Sequence, residues 1–168
     1  VPRSLSLKAE SPNSIQRIRS AFDDEQYWRA RLATFADASP RLQDLTTDAA
    51  GTTSVTMTMR FGGDQLPGPL QRLRLGALHI VQRERWCAVV DGSVRGEIAI
   101  DAPRTPMSGD GAVTLSPSGE GTLLAGTARV EVSVPLIGGA IANFIAGQLA
   151  NGIVDIVHIT DSWLAQNS

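Results

Sequence analysis

Cysteine is all but missing from this chain. Cys87 stands alone, so no internal disulfide can form and nothing in the cysteine usage supports secretion. The same scarcity removes thiolate-rich metal sites, and His79 and His158 are isolated, so no metal is expected. There is no excess of basic charge either: 15 Lys and Arg against 17 Asp and Glu give a net charge of −2, which removes the electrostatic case for a nucleic-acid partner. Neither a Gly-rich phosphate loop nor a G-x-S-x-G elbow occurs, so no nucleotide cofactor or hydrolase nucleophile is indicated. Aromatic residues make up only 5% of the chain, leaving few large rings to fill an interior. The opening residues, Val1-Pro2-Arg3-Ser4, lack the apolar run of a signal peptide, and a cytoplasmic location is the resulting expectation.

What is present points to a turn-rich sheet. The 168 residues suffice for one domain over 1–168 with its own core, and 16 glycines and 9 prolines punctuate a 42% hydrophobic sequence. A short strand over 4–8 faces Leu5 and Leu7 inward. Ser11 and Pro12 have the chemistry of a helix cap and first helical position, ahead of an apolar face of Ile15, Ile18, Ala21 and Phe22. Asp23-Asp24-Glu25 suits the positive end of a second helix, which carries Tyr27, Trp28, Leu32 and Phe35 and ends before Pro40. Six strands are predicted next, over 41–49, 52–61, 77–89, 93–102, 111–117 and 122–134. Turns fall at Ala50-Gly51, Gly62-Gly63, Asp91-Gly92, Gly109-Asp110-Gly111 and Ser118-Gly119. The segment 64–75 reads as a loop with a turn or two of helix.

The uncharged run 136–154 just reaches the roughly 20 residues that a bilayer-spanning helix needs. Asn143, Gln148 and Asn151 interrupt it, glycines dilute it, and no Lys or Arg brackets it. A stripe of Ile137, Ile141, Ile145, Leu149, Ile153, Ile156 and Trp163 continues past Asp155, where a membrane span would stop. The expectation is a helix over 135–164 laid on a sheet, with no transmembrane segment. Gly138 and Gly152 fall on its apolar face, leaving room either for close helix–sheet approach or for a ligand.

Period-two parity then selects inner faces. Met57, Met59 and Phe61 share one with Val55; Ile98 and Ile100 share one with Val94 and Gly96; Leu115 goes with Val113; and Leu124, Gly126, Ala128, Val130, Val132 and Val134 form the last. On 77–89 the inner set is Leu78, Ile80, Gln82, Glu84 and Trp86. An inward carboxylate must be protonated, paired or beside water. A cavity accommodates Glu84; so does a bulge that turns it outward, or an arginine partner such as Arg74. Cys87 falls on the outward face and His158 off the apolar stripe.

The order β-α-α-β6-α is that of an α+β helix-grip fold, a curved antiparallel sheet of about seven strands around a long C-terminal helix. Tyr27-Trp28-x-x-Arg31-Leu32, Arg83-Glu84-Arg85-Trp86, Gly92 to Gly96-Glu97-Ile98, and Val134-Pro135-Leu136-Ile137-Gly138-Gly139 with Gln148-Leu149 resemble an actinobacterial domain-of-unknown-function family. That family lies within the START-like, birch-pollen-allergen-like superfamily of polyketide cyclases and lipid-transfer domains. The family's charged residues after the Gly-Gly are replaced here by Ala140 and Ala142, a departure expected on the exposed helix face. The resemblance implies a fold and a cavity, not a reaction.

Three functions follow as expectations. The first is binding of a small hydrophobic or amphipathic molecule, lipid or polyketide-like, by Met57, Met59, Phe61, Ile80, Gln82, Glu84, Trp86, Ile98, Ile100, Leu115, Ile141, Ile145 and Leu149, with 62–75 gating the entrance. The second is a cyclase, dehydratase or hydrolase in which Glu84, assisted by Gln82, serves as acid or base. The third is a structural or interaction protein whose interior is filled by side chains. The partner is a small hydrophobic ligand, the chain itself a monomer or weak homodimer.

Overall fold

A computed structural model describes residues 3–62, 71, 77–133 and 138–167, excepting the side chains at 140, 141, 144, 145, 148–151 and 153. Strands β1 (Arg3–Ser11), β2 (Arg41–Thr47), β3 (Thr53–Phe61), β4 (Leu78–Trp86), β5 (Val94–Asp101), β6 (Met107–Ser118) and β7 (Gly121–Val132) form one antiparallel sheet, ordered β1-β7-β6-β5-β4-β3-β2. Helices α1 (Ile15–Ala21) and α2 (Glu25–Ala33) follow β1, and the long α3 (Gly138–Gln166) closes the chain. The helix-grip architecture is therefore as the element order predicts.

The turns explain most of the strand boundaries. Asp91 and Gly92 both have positive φ, 52° and 76°, and Val90 and Ser93 exchange backbone hydrogen bonds across them. This two-residue turn matches the twist of the strands it joins. The Asp48 carboxylate accepts from the backbone N–H groups of Ala50 and Thr52, fixing the β2–β3 turn. Gly109-Asp110-Gly111 is not a turn. Pairing with β5 continues through it, from Ile98 opposite Gly111 to Asp101 opposite Ser108, because β5 offers partners along its whole length. The chain reverses at 102–106 instead, where Arg104 takes a φ of 66°. Strands β4 and β7 also stop earlier than their apolar runs, at Trp86 and Val132.

Two further expectations shift at the helices. Ser11 does not cap α1; β1 runs on to Ser11, opposite Thr122, and its hydroxyl donates to Asp161 on α3. Ser14 caps instead, accepting from the Arg17 N–H. Phe35 lies beyond α2 and is 45% exposed, because the helix ends at Ala33 and the chain tightens into a 3₁₀ turn over Ala36–Ala38. On edge strand β1, Leu7 is buried but Leu5 is 39% exposed, having a neighbouring strand on one side only.

Helix α3 packs chiefly on β1 and β7, and its C-terminal part meets α1 and α2. Its buried face is marked by Ala142, Ala146, Ile156, Val157, Thr160 and Leu164. Ala142 is thus buried rather than exposed, and Gly152 faces solvent rather than the sheet. The interior falls into two clusters. The larger joins α1, α2 and the end of α3 to Val55, Met57, Trp86, Val94, Ile98, Val113, Leu115 and Leu124. The smaller holds Leu78, Ala102, Val130, Val132, Ala142 and Ala146, with Phe61, Ile80 and Met107 partly buried against it. Among the described residues no helix is long and apolar enough to cross a membrane.

Candidate functional site

Parity on β4 places Glu84 inward, and the carboxylate is 1% exposed. Its partner is Arg31 of α2, not Arg74, which lies outside the described residues. Arg31 Nη1 donates to Oε1 at 3.0 Å and Nη2 to Oε2 at 2.7 Å. Trp86 Nε1 adds a bond to Oε1 at 3.0 Å and Gln82 Nε2 one to Oε2 at 2.7 Å. Four donors fill the four lone-pair sites of an ionised carboxylate. The pair is a planar two-pronged contact, the strongest geometry for such an interaction.

Arg31 is inward because of its helix spacing. Tyr27 and Trp28 are fully buried on α2, and a residue three or four positions later shares their face. The guanidinium stacks over the Trp28 ring, 4.6 Å from its centroid. Burial opposes its charge, but Glu84 and Tyr27 outweigh that effect and hold Arg31 above arginine's ordinary pKa. Tyr27 is bound from the other side: its hydroxyl lies 2.6 Å from Thr160 Oγ1. Thr160 already donates to the Ile156 carbonyl, so the tyrosine is the donor. Burial is the main cause of a pKa raised above 10.0 at Tyr27.

A second polar cluster braces the same end. Arg19 on α1 donates to the carbonyls of Cys87, Gly51 and Trp86, to Thr53 Oγ1 and to the Asp23 carboxylate. Burial tends to raise the pKa of Asp23, but hydrogen bonds from Thr53 and Arg19 win and lower it from 3.8. Trp86 lies over Gly96, its cross-strand neighbour, where any Cβ would overlap the indole ring. A residual void of about 20 Å³, lined by Ser11, Trp86, Leu115, Leu124, Thr160 and Asp161 among others, has room for about one water.

The residues expected to line a cavity therefore separate into groups. Met57, Trp86, Ile98 and Leu115 belong to the larger packed cluster, and Met59 is also buried. Phe61, Ile80, Gln82 and Ile100 share the same inner face yet remain half-buried. Gln82 stands between Met57 and Ile100 in the sheet register, at the boundary between these groups. The side chains of Ile141, Ile145 and Leu149 lie outside the described residues, as does the segment expected to gate the entrance, apart from Gly62 and Gln71. Cys87, His79 and His158 are exposed, the first on the outward face as expected. Arg19 and Thr160 were not singled out by sequence reasoning, and Arg31 entered only within a family motif with no role assigned; the signal for its burial was its spacing from Tyr27 and Trp28.

The chain is similar to solved structures over nearly its whole length. The protein TTHA0849 from Thermus thermophilus superposes with a TM-score of 0.61 at 13% identity, covering 99% of both chains. Ms6760 from Mycobacterium smegmatis gives 0.58 at 14% identity, covering 98% of this chain and 92% of its own. Ara h 8.0201 gives 0.54 at 10% identity with 99% coverage of both. Identities this low speak to the fold, which is the START-like, birch-pollen-allergen-like one. The uncharacterized protein Rv0481c of Mycobacterium tuberculosis and the uncharacterized protein Mb0491c of Mycobacterium bovis are each 27% identical over 173 residues, with 99% of both chains covered. The model of a family described as protein of unknown function (DUF2505) matches residues 6–164, and the chain belongs to that family.

Proposed function

We propose that this domain, spanning 1–168, binds a small hydrophobic or amphipathic molecule between its sheet and α3. The observation that carries this reading is the half-burial of Phe61, Ile80, Gln82 and Ile100 on an inner face whose neighbours Met57, Glu84 and Ile98 are sealed. Apolar side chains with one polar group among them are the usual lining of a small-molecule site. Among the described residues, helix α3 lies mainly over β1 and β7 rather than over β3, β4 and β5. Met59, Ile141, Ile145 and Leu149 complete the proposed lining. Met57, Glu84, Trp86, Ile98 and Leu115 form the packed floor beside it.

The acid–base reading of Glu84 is disfavoured by the same geometry. A general base needs a free lone pair within reach of the reacting proton, and all four sites on Glu84 already accept bonds. A filled, purely structural interior is disfavoured by the exposure left at Ile80 and Ile100.

The test is occlusion. Dodecan-1-ol serves as the probe, with binding followed by calorimetry on the purified chain. Ile80→Trp and Ile100→Trp are each expected to weaken binding by at least about tenfold, since an indole fills the space a ligand needs. Unchanged affinity in both folded variants would remove the cavity from the account.

A further inference from the structure

Gln82 is the one polar side chain in the half-buried group, and its orientation is dictated. Both Glu84 oxygens accept, from the two prongs of Arg31 and from Trp86 Nε1, so a further group can meet them only as a donor. The Gln82 carboxamide must therefore turn its nitrogen toward Glu84, as the 2.7 Å Nε2–Oε2 bond records. Its oxygen is then the end of the carboxamide turned away from Glu84, on a side chain that is half-buried rather than sealed. Among the described residues, Glu84 is the only group bonded to this carboxamide. The charge of Arg31 is matched by that of Glu84, to which both its terminal nitrogens donate, and the guanidinium is itself buried, so the pair is neutral overall.

We infer that Gln82 makes the site select an uncharged ligand bearing a hydroxyl or N–H donor, an alcohol rather than a carboxylate. The inference rests on the proposed cavity. A donor from the ligand satisfies Gln82 Oε1, whereas a carboxylate would bring its charge to an acceptor oxygen and an anion already fully bonded. A fatty acid would also shed its hydration without meeting a cation there, which is costly in an apolar site. The residue acts as a relay of orientation: Arg31 fixes Glu84, Glu84 fixes Gln82, and Gln82 presents one acceptor.

Three probes of matched chain separate the possibilities: dodecan-1-ol, dodecyl methyl ether and dodecanoate, titrated at pH 7 by calorimetry. The alcohol is expected to bind about tenfold more tightly than the ether, the equivalent of one well-made hydrogen bond, and at least as far ahead of dodecanoate. Gln82→Leu should bring the alcohol down to the ether and leave the ether unchanged. If the alcohol and ether bind equally to the unaltered protein, or dodecanoate binds most tightly, the role of Gln82 is overturned while the cavity stands. If none of the three binds, the cavity reading itself fails and takes this one with it. The alcohol-to-ether ratio of the unaltered chain decides the matter even if Gln82→Leu does not fold.

Discussion

The two ends of the interior are built by different means. At one end, Phe22, Tyr27, Trp28 and Trp86 are buried at 1% exposure or less, Trp163 stacks edge-on to Tyr27, and two arginines are spent on bonding. At the other, the buried residues are Leu78, Ala102, Val130, Val132, Ala142 and Ala146, with Phe61 and Met107 only partly covered. A scarcity of aromatic residues therefore does not mean a thin core throughout. Most of the rings are concentrated where α1, α2 and the last turns of α3 converge, and the opposite end is left with small and aliphatic side chains. The first end combines ring packing with buried polar bonds; the second is largely aliphatic, and it is the end at which a ligand is proposed to bind.

The sharpest way to break this contrast is at the charge pair. Glu84→Gln leaves Arg31 buried without its counter-charge, and Arg31→Met does the converse. Each should lower stability by about 3–5 kcal/mol in denaturant titrations. Replacing both together by apolar residues of similar volume should recover much of that loss, since desolvating the two ions offsets their attraction. A small effect from either single change would mean that the closed end does not depend on the pair.

One strand spans both regimes, which allows a finer comparison. Ile98 and Ile100 lie two residues apart on the same face of β5, the first 3% exposed and the second half-buried. Ile98→Ala should cost about 2–5 kcal/mol, as a deletion in a sealed core does, and Ile100→Ala about 1 kcal/mol. Equal costs would place both in one continuous core and erase the distinction between the ends.

The smallest effect is also the cleanest to read, because Tyr27 is the only tyrosine. Its folded pKa lies above 10.0, mainly through burial. The stability this contributes is fully present below pH 10 and is lost as pH rises through the folded pKa. Tyrosinate absorbance on alkaline titration should stay flat beyond pH 10 and then rise together with loss of the folded signal. Ionisation at the ordinary value in a folded chain would place the hydroxyl in water.

Much of this was legible in the sequence, for reasons that differ by residue. Strand parity placed Trp86, Glu84, Ile98 and Val113 correctly because period two is rigid and each neighbouring strand confirms it. Two of the motifs that carry the family resemblance, Tyr27-Trp28-x-x-Arg31 and Glu84-Arg85-Trp86, prove to be the two halves of one buried pair. That meeting spans 53 residues of sequence and no local period encodes it. Arg19 lies four residues after Ile15, and Arg31 four and three after Tyr27 and Trp28; that helix spacing is the local signal for their burial. On helix α3 Ile156 is buried as the apolar stripe predicts, while Ile137 and the side chains of Ile141, Ile145, Leu149 and Ile153 lie outside the described residues; the stripe left out Ala142 and Ala146, whose small side chains pack against Val130 and Val132 of the sheet. Gly109 and Gly111 looked like turn residues because glycine chemistry is the same in a turn and opposite an isoleucine.

The placement of the tryptophans has a practical corollary. All three, Trp28, Trp86 and Trp163, belong to the ring-rich end. Intrinsic fluorescence of this protein is in effect a spectroscopic label on that end alone. A melting curve followed by it registers the collapse of the Arg31–Glu84 neighbourhood and stays silent about fraying around Ala142 and Ala146. A light signal sensitive to the far half would need a fourth indole, and Ile80→Trp, placed beside Gln82, would install one where a ligand is expected to arrive.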